Sequence, residues 1–245
     1  MSSPNGISET LRRCDLFGGL TDEELGDVSR SFRRESLARH ASLPPGRALT
    51  TFTVIVSGRM EVMRYHPETD RRLTIAFLEP FDAFDIVTLM DGQMHDVITR
   101  AAEPIESLVA PLPAVRRWID RMPALEHALL HSVAAQMRGL ESLAADIALF
   151  DTPTRLSNLI LQYAEPSSPS ADGRPQYVLS GMSHEMIARM IGTVRAVVNR
   201  CLQELKADHV VQLRRHEIRI DDLEAVMKRA DRFCERLGSP TPPGP

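Results

Sequence analysis

Residues 183–202 read Ser-His-Glu-Met-Ile-Ala-Arg-Met-Ile-Gly-Thr-Val-Arg-Ala-Val-Val-Asn-Arg-Cys-Leu, and their pattern decides the C-terminal fold. Ser183 is placed to cap a first helix that opens with His184. Ala188 is small where two crossing helices come closest, and Gly192 follows four residues later at a sharp turn. Ile187, Ile191, Val198 and Leu202 recur at helical spacing and supply a shared core. Thr193 is read as the cap of a second helix, whose N-terminal end presents Val194, Arg195, Ala196, Asn199 and Arg200 outward. Two helices joined by a glycine turn are the pattern that sets a recognition helix in the major groove of DNA. A plain helical hairpin is the competing structure.

The next segment favours the first reading. Residues 209–220, His-Val-Val-Gln-Leu-Arg-Arg-His-Glu-Ile-Arg-Ile, alternate as a hairpin whose tip, Arg214–Glu217, makes a wing beside the phosphate backbone. Arg214 and Arg215 are its phosphate-contacting candidates, with Ser183, His184 and Thr193 completing the DNA face. Arginine pairs bidentately with guanine, so Arg195 and Arg200 are the first candidates for base contact. The spacing leaves open which of them meets a base and which a phosphate.

Net charge is −4, from 29 basic and 33 acidic residues, which alone would argue against a polyanionic partner. Between positions 195 and 219, however, Arg195, Arg200, Lys206, Arg214, Arg215 and Arg219 outnumber Glu204, Asp208 and Glu217. A local basic face binds phosphates while the rest of the molecule stays acidic.

Working outward from the motif, residues 8–35 are expected to be helical, with Thr21 and Glu24 at capping-box spacing. From about Ser36 to Leu112 short apolar runs alternate with Pro and Gly turns, as in a small antiparallel barrel. A long helix is expected from near Pro123 to Phe150. Along it Leu129, Val133, Gln136, Leu140, Leu143, Ile147 and Phe150 fall at alternating steps of four and three, a seam for an identical helix of a second subunit. A core helix packed on its own barrel is the alternative. Asp151-Thr-Pro153 interrupts the helix and starts another, making the hinge. Residues 166–175 read as a loop, then come a short strand (176–179), the motif, the hairpin and a final helix from near Asp222. The expected domains are 1–122 (sensor), 123–151 (dimerisation helix and hinge), 152–237 (winged helix-turn-helix) and 238–245, a disordered tail.

Other chemistries find little support. No apolar run reaches the roughly 18–20 residues of a membrane span. Cys14, Cys201 and Cys234 are odd in number and far apart, which predicts neither a disulfide framework nor an iron–sulfur centre and fits a reducing cytoplasm. There is no glycine-rich phosphate loop, nucleophile elbow or zinc-protease motif, so no enzyme, catalytic residue or metal site is expected. His127 and His131, four apart on the long helix, are read as partly exposed polar positions, with a metal between subunits as the sharper alternative.

At this point nearly the whole chain resembles the Crp/Fnr family of bacterial regulators. The resemblance is carried by Leu11–Leu20 with Glu23-Glu-Leu25, by Pro45-Gly46, by Val54–Val62, by Ala148–Leu156, and by Met182–Leu205. It implies an α+β chain: an N-terminal double-stranded β-helix barrel (cupin-like, of the cyclic-nucleotide-binding type), a long dimerisation helix, and a C-terminal winged helix-turn-helix. It also implies a homodimer on a palindromic operator, with double-stranded DNA and RNA polymerase as partners.

Departures from the family pattern bear on the signal. The phosphate-binding cassette of nucleotide-binding relatives falls on Phe84–Val97. Phe84 replaces a glycine, His95 replaces the phosphate-neutralising arginine, and Asp96 puts a carboxylate where an anion would sit. The adenine-contacting pair falls on Leu140 and Glu141. Asp85, His95, Asp96, Leu140 and Glu141 are thus the candidate effector pocket, one not expected to take cyclic AMP. Ala196 stands where many relatives carry Glu, so an operator different from the usual family consensus is expected at that step. No cofactor is required; haem, through His40, His66 or His95, is an alternative, as are ligand-free regulation and a protein-interaction module whose winged helix does not bind DNA.

Overall fold

The computed structural model describes residues 4–167, 176–214 and 217–230. Two compact units divide the chain, residues 1–141 and 142–245. The first opens with α1 (Pro4–Arg12) and α2 (Asp22–Ser29). Thr21 caps α2 in a full capping box, its backbone N–H donating to Glu24 at 2.9 Å while Glu24 N–H donates back to its hydroxyl at 3.3 Å. Helix does not persist to residue 35 as expected, because Arg33–Leu37 forms strand β1 and pairs with Ile105–Pro111 (β7).

Between them lie β2 (Thr51–Ser57), β3 (Met60–His66), β4 (Arg71–Leu78), β5 (Ala83–Phe84), α3 (Ile86–Asp91) and β6 (Ile98–Ala101). They assemble into two antiparallel sheets, β1-β7-β2-β5 and β4-β3-β6. Ile55, Phe84 and Ile105 from one sheet meet Met60, Val62, Leu78 and Ala101 from the other, which closes the barrel interior. The opposite face of the larger sheet, with Phe52, Val54, Leu108 and Ala110, packs under Leu11, Phe17, Leu25, Val115, Leu125 and Leu129 of the helical segments. Strand alternation therefore feeds two cores at once. The β2–β3 turn needs glycine: Gly58 has φ +81°, and a Cβ there would collide with the Pro104 carbonyl oxygen. Cys14 lies in the helical core, where burial pushes its thiol pKa to about 12 and leaves it inert. α4 (Leu112–Ile119) then leads to α5 (Pro123–Leu149), the long helix.

The second unit starts where Asp151 caps α6 (Thr152–Tyr163), accepting from Thr154 N–H at 2.9 Å. Those hydrogen bonds hold the Asp151 carboxyl below its ordinary pKa. Strands β8 (Glu165–Ser167) and β9 (Gln176–Ser180) follow, then α7 (His184–Met190), α8 (Arg195–Ala207), β10 (Val211–Arg214), β11 (Glu217–Ile220) and α9 (Leu223–Arg229). The expected loop from residue 166 begins instead inside a strand. Pro166 is tolerated there because β8 is the edge of the sheet β10-β11-β9-β8, where a missing N–H costs no ladder bond. The architecture is α+β: a barrel of the cyclic-nucleotide-binding type, a long helix and a winged helix-turn-helix. Arg215, Cys234 and the expected tail 238–245 lie outside the described residues. Among the described residues no helix is long and apolar enough to cross a membrane.

Candidate nucleic-acid interface

The two motif helices pack through the residues their spacing selects. Ile187, Ala188, Ile191, Val198 and Leu202 are all buried, joined by Cys201 and Leu205. Ser183 caps α7, its hydroxyl accepting from Met186 N–H at 3.1 Å. Gly192 turns the chain at φ +67°. Thr193 does not cap α8. Its N–H donates back to the Ala188 carbonyl at 2.8 Å, which keeps it in the turn and leaves Val194 as the N-cap, with no side-chain cap bond. Helix α8 thus starts one residue later than the sequence reading placed it.

Val194, Arg195, Ala196 and Arg200 are exposed at the N-terminal end of α8. Asn199 is half-buried, and its Oδ1 accepts from Nδ1 of His184 on α7. This bond joins the two helices at the mouth of the motif, a link that spacing did not reveal because the residues are fifteen apart. On the wing, Arg214 pairs with Glu217 in backbone register and keeps its side chain exposed. Nearby acids are engaged elsewhere: Glu217 binds Arg219 at 3.3 Å and Asp208 binds Arg229 at 2.6 Å. Arg195, Arg200 and Arg214 form no ion pair with any described residue, so their charge is directed to solvent. The Cys201 thiol, pushed up by burial, takes no part.

Comparison with known proteins agrees with this geometry. A family model described as a Crp-like helix-turn-helix domain matches residues 154–229. The CRP-like cAMP-activated global transcriptional regulator of Mycobacterium tuberculosis is 23% identical over 225 residues, covering 91% of this chain and 100% of that protein. The c-di-GMP-responsive global regulator CLP of Xanthomonas campestris superposes with TM-score 0.70 at 17% identity, over 82% of this chain and 99% of that one. A CooA mutant from Carboxydothermus hydrogenoformans gives 0.68 at 20% identity, over 82% and 89%. Residues 154–229 thus form a Crp-like helix-turn-helix domain, in a chain similar over most of its length to Crp/Fnr regulators.

In the region of the nucleotide cassette little free space remains. Asp85 adopts φ +61° as the N-cap of α3, with its carboxylate accepting from the Thr88 hydroxyl at 2.8 Å. His95 Nδ1 lies 3.0 Å from the same carboxylate. Together with Gly46, Arg47 and Met94 they border a cavity of about 20 Å³, room for one water molecule. Asp96, Leu140 and Glu141 are not part of it. Asp96 turns outward to Arg64, 3.1 Å away. Leu140 and Glu141 stand exposed on α5. Of the five candidate effector residues the structure brings together two, Asp85 and His95.

On the long helix α5 the residues of the expected seam differ in burial. Leu129 is 1% exposed and belongs to the core under the larger sheet, and Val133 packs against that core from the side. The exposed apolar stripe is Leu130, Met137, Leu140 and Ile147, with Val133 and Ala144 completing steps of three and four. Met137 takes the place that the sequence reading gave to Gln136, and Ala144 that of Leu143, while Phe150 lies beyond the end of α5. His127 and His131 are exposed with ring centroids 4.4 Å apart, and His131 Nδ1 donates to the His127 carbonyl at 3.0 Å. Among the described residues no group of three metal-ligating side chains forms.

Proposed function

We propose that the protein is a homodimeric regulator that reads a two-fold symmetric operator, with Arg195 and Arg200 of each α8 in the major groove and the wing from Arg214 on phosphate. Ser183, His184 and Thr193 flank that face, and Asn199 is fixed by His184 within it. Residues 1–122 form the sensor, 123–151 the dimerisation helix and hinge, and 152–237 the DNA domain. The observation that carries this reading is the trio of exposed arginines, which Glu217 and Asp208 leave unpaired by binding Arg219 and Arg229. RNA polymerase is the expected partner once the dimer is on DNA, in the cytoplasm.

Regulation without cyclic AMP follows from the cassette. A cavity of about 20 Å³ cannot hold a nucleotide as it stands, and the carboxylate of Asp85 in its lining repels an anion. Two readings of the signal remain, ligand-free regulation and haem sensing, and the narrow cassette favours the first. Of the histidines considered for iron, His95 is engaged by Asp85 and His40 by Arg100 at 3.3 Å. The test is operator selection from a random duplex library using ligand-stripped protein, followed by a salt titration. Arg214 of each subunit supplies two arginine–phosphate contacts per dimer, which predict log K falling against log salt with a slope of about −2. A flat salt response, or failure to select any sequence, would favour the protein-interaction module instead.

A further inference from the structure

The other helices of the second unit that follow a turn are capped by a polar side chain. Asp151, Ser183 and Asp222 each accept from a backbone N–H of the first turn of α6, α7 and α9. Helix α8 breaks this pattern. Val194 offers its N-terminus no acceptor, and 53% of the residue is exposed. Ala196, two positions on, is exposed as well, so two apolar side chains flank Arg195 on the face read above as the DNA-facing end. The chain forgoes a cap and leaves apolar surface in water at the place where it carries its unpaired arginines.

In the major groove the apolar feature of a base pair is the 5-methyl group of thymine. An alternative way to read A·T is a bidentate asparagine on adenine, which needs both the amide oxygen and the amide nitrogen. Asn199 is poorly placed for it, since its oxygen already accepts from His184. We infer that Val194 and Ala196 are specificity-determining residues that contact thymine methyl groups beside the base taken by Arg195. Each operator half-site then carries a thymine next to a guanine, and the A·T pair is recognised from its thymine side. This rests on the reading of α8 as the recognition helix.

Deoxyuridine tests it directly, because it keeps every hydrogen-bonding group of thymine and removes one methyl. An operator is first selected from a random duplex library with the full-length protein. Each thymine is then replaced in turn by deoxyuridine, and affinity is measured by fluorescence anisotropy. Burial of one methyl group predicts a loss of about three- to fivefold at one thymine in each half-site, and about ten- to twentyfold when both are replaced. The variant Val194→Ser removes the methyl contact and supplies a cap, so its helix stays formed. In that variant the deoxyuridine penalty at the same thymine should shrink, Ala196 alone being left to meet the methyl. Selected operators in which every thymine tolerates the replacement, or a penalty that survives unchanged in Val194→Ser, would overturn the inference alone. Failure to select any duplex would overturn the DNA-binding reading and this inference with it.

Discussion

Exchanging Leu129 and Leu130 for alanine, one at a time, separates the subunit core from the proposed dimer seam. The two leucines are neighbours in sequence, yet Leu129 is 1% exposed and Leu130 is 57% exposed. Leu129→Ala leaves a cavity under the larger sheet and should cost each subunit about 2–5 kcal/mol of folding stability. It should leave dimer affinity in the folded protein unchanged. Full burial of a leucine side chain is worth about 2 kcal/mol, so covering the exposed part of Leu130 contributes about 1 kcal/mol per subunit, or about 2 kcal/mol per symmetric pair. Leu130→Ala should therefore weaken the dimer about thirtyfold while barely moving subunit stability. Met137→Ala, at 58% exposure, should behave like Leu130→Ala. Sedimentation velocity over a concentration series reads the first quantity, and urea unfolding at concentrations where each variant is monomeric reads the second. If Leu129→Ala splits the dimer without loss of stability, or if Leu130→Ala and Met137→Ala dimerise like the parent, the seam is wrongly drawn.

Further outcomes follow from other sites. Arg200→Ala should abolish selective operator binding, each lost bidentate guanine contact costing about 1–3 kcal/mol, while sedimentation still reports a dimer; retained selectivity would move the recognition helix elsewhere. Asp146 is held above its ordinary pKa of 3.8 by burial, partly offset by the Asn158 amide. Its ionised form therefore costs stability at neutral pH, a cost that fades as pH falls through the raised pKa. Asp146→Asn should accordingly be more stable than the parent at pH 7, with the gap closing towards pH 4 in urea melts; a less stable variant at pH 7 would reverse the sign. Gly58→Ala should destabilise the barrel by several kcal/mol, about 1–2 from the left-handed backbone alone and the rest from the collision with Pro104, read as a lowered Tm; an unchanged Tm would mean that the turn relaxes freely.

Much of the C-terminal unit was legible because its signals are local. Ser183, Ala188 and Gly192 each do something within one turn of chain, and Ile187, Ile191, Val198 and Leu202 mark a single helical period. Errors arose where a distant partner decides. Leu129 and Leu130 fit a heptad equally well, and only the sheet packed against one of them shows which faces out. Asp96 falls on the cassette by alignment, but Arg64 on β3, 32 positions earlier, draws it away. Thr193 looked like a cap because its type favours capping; the backbone bond to Ala188 places it one residue too early. Composition hid β8, since a Pro–Ser run suggests a loop unless the edge of a sheet is available to hold it.

One side chain has two neighbourhoods. Ile147 lies on the exposed stripe of the long helix, and its Cδ1 and Cγ1 would stand 3.5 Å from a Cβ placed on Gly192, the pivot between α7 and α8. When a second copy covers that stripe, the atoms that grip the partner are the atoms that prop the pivot.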